Sequence, residues 1–342
     1  MDVGVIGGSG YGGAELLRLL LGHPAFTVRV VAGGRSAGQA VATVFPQLRG
    51  TPIADHELVE ATPAALADCD VVFSATPHAV SLALLPDLVS KERTVVDLSG
   101  AFRLHPARFE RWYGDEHTSP SLTPAVYGLP ELTRDDLPGA ELVAGPGCYP
   151  TAALLALVPL VGVLGDGPIA VHGMSGWSGA GRGLRDDLHA SHAHANVAAY
   201  AAPRHRHTPE ISAQFTAAGG GPNPITFVPH LVPMARGMVV TVTAALAAPD
   251  VAPHVHGIVA EHYRDEPFVS VLDPGAWPGS THVVGGNGAH IGVAVDASAS
   301  TLIASCALDN LVKGAAGQAI QAANVATGTA ETAGLPIAGL YP

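Results

Sequence analysis

Cys148 is the residue whose setting most favours chemistry. It lies in Gly145-Pro146-Gly147-Cys148-Tyr149-Pro150-Thr151, directly ahead of the apolar run 152–157. Pro150 suits the first turn of a helix, which puts Cys148 at or just before a helix N-terminus. The positive field there favours the thiolate, the nucleophilic form of the side chain. On position alone, a buried structural cysteine in a Gly/Pro turn is an equal reading. Cys69 and Cys306 sit in ordinary strand- or helix-like surroundings and read as small core residues.

A second group opens the chain. Gly7-x-x-Gly10-x-x-Gly13 follows the apolar run 2–6 and precedes the helical pattern 14–21. Glycines so spaced permit a tight turn, close backbone approach to a pyrophosphate and tight helix–strand packing. The plain alternative is an ordinary βα turn, but the strand-to-helix context favours a dinucleotide. The second strand-like run, 26–32, ends in Ala32-Gly33-Gly34-Arg35-Ser36, with no acid to take a ribose 2′-hydroxyl. Arg35 can hold a 2′-phosphate and Ser36 can add a hydrogen bond, so NADP(H) is the expected cofactor; the alternative for Arg35 is a solvated loop arginine. No GxxxxGK[ST] is present.

A nucleotide fold with one thiolate suggests an acyl group held as a thioester and reduced by hydride. That chemistry needs an acid/base. Arg204-His205-Arg206-His207-Thr208-Pro209-Glu210 is the best segment for it, with histidine able to move protons near neutral pH and Glu210 able to orient a histidine. A basic surface cluster is the competing reading, and the choice between His205 and His207 stays open. The pattern His189-x-x-His192-x-His194 lacks a matched ligand set, so no metal is expected. Neither Ser175 nor Ser178 has glycines on both sides at the GxSxG spacing, which argues against a serine hydrolase.

These residues need a scaffold. Strand, glycine turn, helix and strand at the N-terminus form a βαβ unit, continued by strand-like runs at 71–75 and 94–98 with a helix at 79–91 between them. The expected fold is α/β: a Rossmann-type doubly wound parallel sheet domain, then an α+β second domain, to which the family resemblance given below adds a catalytic and dimerisation role. Beyond residue 145, helices are expected at 151–161 and 253–263, strands at 225–229 and 237–245, loops at 173–183 and 218–224, and a last helix over 305–324. With 342 residues, two domains are expected, each with ample core. Hydrophobic residues at 48% against 13% charged exclude a disordered chain. A net charge of −12 without a basic stripe disfavours nucleic acid or an anionic membrane as partner. The longest apolar stretch, 152–164, is broken by Pro159 and is too short to span a membrane. The N-terminus enters a strand at once, with no basic n-region, and three scattered cysteines make no framework, so a cytoplasmic protein is expected.

The chain resembles the N-acetyl-gamma-glutamyl-phosphate reductases, relatives of aspartate-semialdehyde dehydrogenase. The resemblance is carried by GGSGYGGAELLRLL (7–20), VVDLSGAFRL (95–104), VYGLPEL (126–132), GPGCYPTAALLAL (145–157), SGWSGAGR (175–182), HRHTPEI (205–211), FVPHLVPMARGM (227–238) and DNLVKGAAGQAIQAAN (309–324). It implies NADPH-dependent reductive dephosphorylation of N-acetylglutamyl phosphate through a thioester on Cys148, with His205 or His207 as acid/base. Gly7, Ser9, Gly10, Tyr11, Gly12, Gly13, Arg35, Ser36, Pro77, His78, Ser178, Gly179 and Asn310 are implied at the cofactor. Ser99, Arg103, Tyr149, Arg182 and His205 are implied at the substrate or its phosphate. It further implies an NADP-binding domain of 1–147 with 312–342 returning to it, a catalytic domain of 148–311, and a homo-oligomer, dimer or tetramer. The departures are Trp177, bulkier than expected, the histidine-rich stretch 189–199 and the glycine run 219–221. The nearest rival is the same chemistry on an aminoadipyl or carrier-protein-linked acyl phosphate. An idle NADP-binding regulator would be expected to have lost Cys148 or the histidines.

Overall fold

The computed structural model describes residues 1–123 and 125–341. The chain divides into two compact units, one of Met1–Gly147 with Ala315–Leu335, the other of Cys148–Gly314 with the residues from Pro336 on.

Among the described residues of the first unit, six parallel strands form a sheet: β1 (Asp2–Ile6), β2 (Thr27–Ala32), β3 (Val71–Ser74), β4 (Thr94–Asp97), β5 (Val126–Tyr127) and β6 (Leu142–Ala144), in the order β2-β1-β3-β4-β6-β5. β3 and β4 are buried at every residue, as expected of strands covered on both faces. The order reverses between β1 and β3, and ligands of open α/β sheets bind beyond the carboxyl ends of strands at such a point. The helix Tyr11–Leu20 connects β1 to β2. The helix Gly317–Ala326 packs against it and against β4. Its buried polar face is wired in: Gln318 donates to the Gly128 carbonyl (2.9 Å), Gln321 to Glu131 (3.0 Å) and Asn324 to the Glu331 and Ala333 carbonyls (3.0 and 2.9 Å).

The second unit carries a seven-stranded mixed sheet, again among described residues: β7 (Ile169–Ser175), β8 (Ala198–Ala199), β9 (Ile225–Leu231), β10 (Met238–Ala245), β11 (Val269–Val271), β12 (Ala289–Asp296) and β13 (Thr301–Leu308). Their order is β11-β12-β13-β10-β7-β9-β8. One face is covered by the helices Cys148–Leu157 and Val255–His262. The first is apolar all round and buried from Tyr149 to Leu157, the pattern of a core helix.

Three expectations are corrected. Residues 305–308 belong to β13, which pairs with both β10 and β12; the π-helical turn Val312–Ala316 and the helix Gly317–Ala326 follow. The Ala/Ser/Cys run carries little periodicity of its own, so its distant partners decide it. The helix expected over 79–91 spans His78–Leu84 and tightens into the 3-10 turn Leu85–Asp87, where Pro86 removes a donor. The loop expected from 173 begins later, because Gly173 lies inside β7: a side chain there would run into the Tyr149 ring.

Candidate active site

In the first unit, β1 runs straight into the glycine turn. Gly7 adopts φ +77°, and a Cβ on it would fall 2.5 Å from the Ala75 carbonyl at the end of β3, so only glycine fits. Gly10 precedes the helix Tyr11–Leu20 in extended conformation, with no side chain capping it and no acidic residue in the first turn. The first N–H groups of such a helix lack intrahelical partners, which makes its start receptive to an anion. At Gly10 and Gly12 a Cβ would meet nothing of the protein nearer than 3.5 Å, so these glycines keep the backbone open rather than relieve an internal clash. At the end of β2, a Cβ built on Gly33 would lie 3.5 Å from the Ser9 side chain. That brings Arg35, exposed, and Ser36, half-buried in the turn Gly34–Ser36, to the region of the glycine turn. The residues present fit an NADP(H) dinucleotide: a glycine turn at a helix start, and a cation without an acid after β2. Pro77 and His78 start the helix that follows β3; His78 pairs with Asp115 at 2.6 Å and packs edge-on to Phe109 and Tyr113.

Ser99 and Arg103 have internal duties. Ser99 donates through Oγ to Asp97 (2.6 Å) and accepts from the Ala101 N–H (3.1 Å). Arg103 donates to the Gly145 and Leu98 carbonyls, each at 2.7 Å. It thereby braces the backbone three residues ahead of Cys148. Asp97, at the end of β4, is fully buried; burial raises its carboxyl pKa against the hydrogen bonds of Ser99 and Ser81 and the charge of Arg103, which oppose the rise.

In the second unit, Cys148 is the first residue of its helix, with Pro150 in the first turn. Gly314 packs directly on it. The next residue, Tyr149, is buried and donates to the His230 carbonyl at 3.0 Å. Its ring meets His205, His207 and Phe227 edge-on at 6.0, 6.0 and 5.1 Å. Tyr200 reaches in from beyond β8 and donates to the Tyr149 hydroxyl at 3.4 Å. Burial pushes the Tyr149 hydroxyl far above its ordinary value and that of Tyr200 up to about 12, with Cys148 adding to both. Both phenols therefore hold their protons at neutral pH. Burial, with the charge of Arg206, lowers His205 to about 4. His205 and His207 stand 4.7 Å apart, ring to ring. His207 begins the helix His207–Ala217, and Glu210, buried one turn on, shares its side of that helix.

Asn310 joins two strands of the second unit to a turn. It accepts from the Gly237 N–H at 2.8 Å and donates to Ser178 Oγ at 2.9 Å, in the turn Trp177–Ala180 that also holds Gly179. Arg182 follows, exposed. Among the described residues no cluster of three or more His, Cys, Asp or Glu is poised to hold a metal ion, and His189 instead bonds Ser191 within its own short helix.

The comparisons agree over the full length. The family model for the semialdehyde dehydrogenase NAD binding domain matches residues 2–140, and that for the dimerisation domain matches 148–310. N-acetyl-gamma-glutamyl-phosphate reductase of Symbiobacterium thermophilum is 45% identical, covering 99% of each chain, and that of Geobacter metallireducens 42%, covering 100% of each. The chain belongs to the N-acetyl-gamma-glutamyl-phosphate reductase family. At 16% identity, aspartate semialdehyde dehydrogenase II of Vibrio cholerae shares the fold with a TM-score of 0.72 over 95% of this chain and 97% of its own. The Candida albicans aspartate semialdehyde dehydrogenase, solved with NADP, is 18% identical with a TM-score of 0.68, over 95% and 98%.

For a member of the N-acetyl-gamma-glutamyl-phosphate reductase family, sequence reasoning passed over Tyr200, Phe227, His230 and Gly314. Phe227 and His230 stood inside the motif at 227–238 without a role of their own, and Tyr200 carried no motif; β9, which holds Phe227, pairs with β7, and β8, next to Tyr200, pairs with β9. Gly314 stood inside the motif at 309–324 and was legible as an unexplained glycine in a presumed helix.

Proposed function

We propose that this protein reduces N-acetyl-L-glutamyl 5-phosphate to N-acetyl-L-glutamate 5-semialdehyde, releasing phosphate and consuming NADPH, in arginine biosynthesis. The observation that carries the reading is Cys148 at the first position of a buried helix, with the ring of the next residue, Tyr149, against the two histidines, in a chain that matches this family from end to end.

The Cys148 thiolate attacks the acyl carbon; the C–S bond forms, the bond to the phosphate oxygen breaks, and phosphate departs with its electron pair. In the first unit, Gly7, Ser9, Gly10, Tyr11, Gly12 and Gly13 are assigned to the pyrophosphate, Arg35 and Ser36 to the 2′-phosphate, and Pro77 and His78 to the cofactor beyond β3. Ser178, Gly179 and Asn310 are further residues that the family resemblance gives to the cofactor. NADPH, when bound, supplies the hydride that takes the thioester to the aldehyde level. Cys148 then leaves as thiolate as the carbonyl re-forms, and the histidine pair, with Glu210 on the same helix as His207, manages the protons. Ser99, Arg103, Tyr149 and Arg182 are the residues that the family resemblance gives to the substrate's charged groups.

Three scattered cysteines with no CxxC pair suit a reducing cytoplasm. No described helix is long and apolar enough to cross a membrane. The uncovered side of the second sheet presents His172 and Met174 on β7 opposite Thr241 and Val239 on β10. We assign this face to a homo-oligomer, dimer or tetramer, in keeping with the description of the matched dimerisation model.

The test is NADP⁺ reduction by purified protein given N-acetylglutamate semialdehyde, with and without phosphate, beside Cys148→Ser. Phosphate-dependent NADPH formation, lost in the variant, is expected. Formation indifferent to phosphate would overturn the reading in favour of a simple aldehyde dehydrogenase.

A further inference from the structure

The two histidines of the 204–210 segment are not equivalent, and a backbone hydrogen bond separates them. The His207 N–H, at the start of the helix His207–Ala217, donates to Nδ1 of His205 at 3.1 Å. The first N–H groups of a helix have no partner within it, so His205 satisfies one of them with its ring lone pair. A ring nitrogen that accepts from an amide carries no proton, which places the proton of the neutral imidazole on Nε2.

The surroundings keep the ring in that form. Arg206 is the next residue, and the positive end of the helix lies against Nδ1, so a second proton would meet two like fields and break the hydrogen bond. Tyr149, Tyr200 and Phe227 close on the ring edge-on at 6.0, 5.4 and 5.3 Å. Both tyrosines donate elsewhere, Tyr200 to Tyr149 and Tyr149 to the His230 carbonyl.

We propose that His205 serves the reaction as a fixed hydrogen-bond donor at Nε2, and that His207 carries the proton transfers. This deepens the reductase reading and rests on it for the assignment of catalysis, whereas the state of the ring stands on the structure alone. A donor locked at Nε2 can stabilise charge growing on an oxygen, but it has no lone pair there to take a proton from a thiol or an alcohol.

The experiment has two arms. Long-range proton–nitrogen NMR on protein labelled at histidine nitrogen, with His205→Asn identifying the signal, reports the tautomer between about pH 5 and pH 8. A single Nε2–H form without titration is expected; an Nδ1–H form, or titration within that range, overturns the proposal. In the second arm, pH–rate profiles are compared for His205→Gln, which keeps an amide donor, and His207→Gln. His205→Gln is expected to lose less than about tenfold in kcat and to keep the acid limb of the profile. His207→Gln is expected to lose roughly 10²–10⁴-fold and the limb with it. Loss of the limb in His205→Gln instead overturns the proposal. A wild-type protein without reductase activity would sink the reaction assignment, while the NMR arm would still decide the state of His205.

Discussion

Gly314 and Cys148 stand so close that a Cβ built on Gly314 would fall 2.7 Å from the Cβ of Cys148, with the Asp309 carbonyl at 3.3 Å and Leu308 at 3.2 Å on other sides. The glycine lies in the π-helical turn Val312–Ala316, a rare geometry that often marks functional positions. No flexible side-chain end takes up the clash, so the first residue of the helix Cys148–Leu157 must move if Gly314 gains a methyl group.

Gly314→Ala is therefore expected to lower kcat by at least about tenfold, since displacements of this order from the reactive geometry are costly. The rate of Cys148 alkylation by iodoacetamide should change with it. An unchanged alkylation rate and kcat would show that the close approach has no bearing on the thiol.

Arg35 decides the cofactor in this reading, because no acid follows β2 and the arginine is exposed in its turn. Arg35→Asp should shift the NADPH-over-NADH ratio of kcat/KM by about 10- to 100-fold, the worth of a charge-assisted hydrogen bond of about 1.5–3 kcal/mol. Steady-state kinetics with both cofactors reads it, and a ratio that does not move would return Arg35 to the role of a solvated loop residue.

Asp97 holds the carboxyl end of β4. It accepts from Ser81 Oγ at 2.8 Å, from Ser99 Oγ at 2.6 Å and from the Ser99 N–H at 3.2 Å, all out of contact with water. Asp97→Ala leaves those buried donors without an acceptor and should cost about 3 kcal/mol in urea unfolding. Asp97→Asn keeps one acceptor oxygen and should cost less. Equal losses in the two variants would mean that volume, not hydrogen bonding, is what Asp97 provides.

Burial lowers His23, His205, His262 and His290 below the ordinary histidine value, His205 to about 4. The unfolded chain then binds protons near pH 6.5 that the folded chain refuses, so stability rises with pH through this window. The contribution is complete above about pH 6.5 and is lost as pH falls toward 4. Thermal unfolding should show Tm dropping steadily from pH 7 to pH 5, with a shallower slope in His205→Gln. A Tm that rises over that range would reverse the sign argued here.

The nucleotide unit was largely legible because its signals are local. A strand of five residues, glycines at fixed spacing and a helix directly after them constrain each other within twenty residues, and Gly7 answers to a single requirement of φ and space. Cys148 at a helix start was legible for the same reason, from Pro150 and the apolar run that follows. β13 was not, because an Ala/Ser/Cys segment has too weak a period to declare itself, and it became a strand by pairing with β10 and β12, about sixty residues before it and immediately before it in the chain.

By itself, the sequence determined the family, the parallel α/β sheet, the cofactor class and the place of Cys148 at a helix start, all of which rest on residue types at short, fixed separations. Tertiary structure alone decided that Tyr200 caps Tyr149, that Gly314 abuts Cys148 and that His205 spends its Nδ1 lone pair on a helix start. Such facts depend on distance and direction between groups that strand pairing and helix packing bring together, and spacing along a chain carries no record of them.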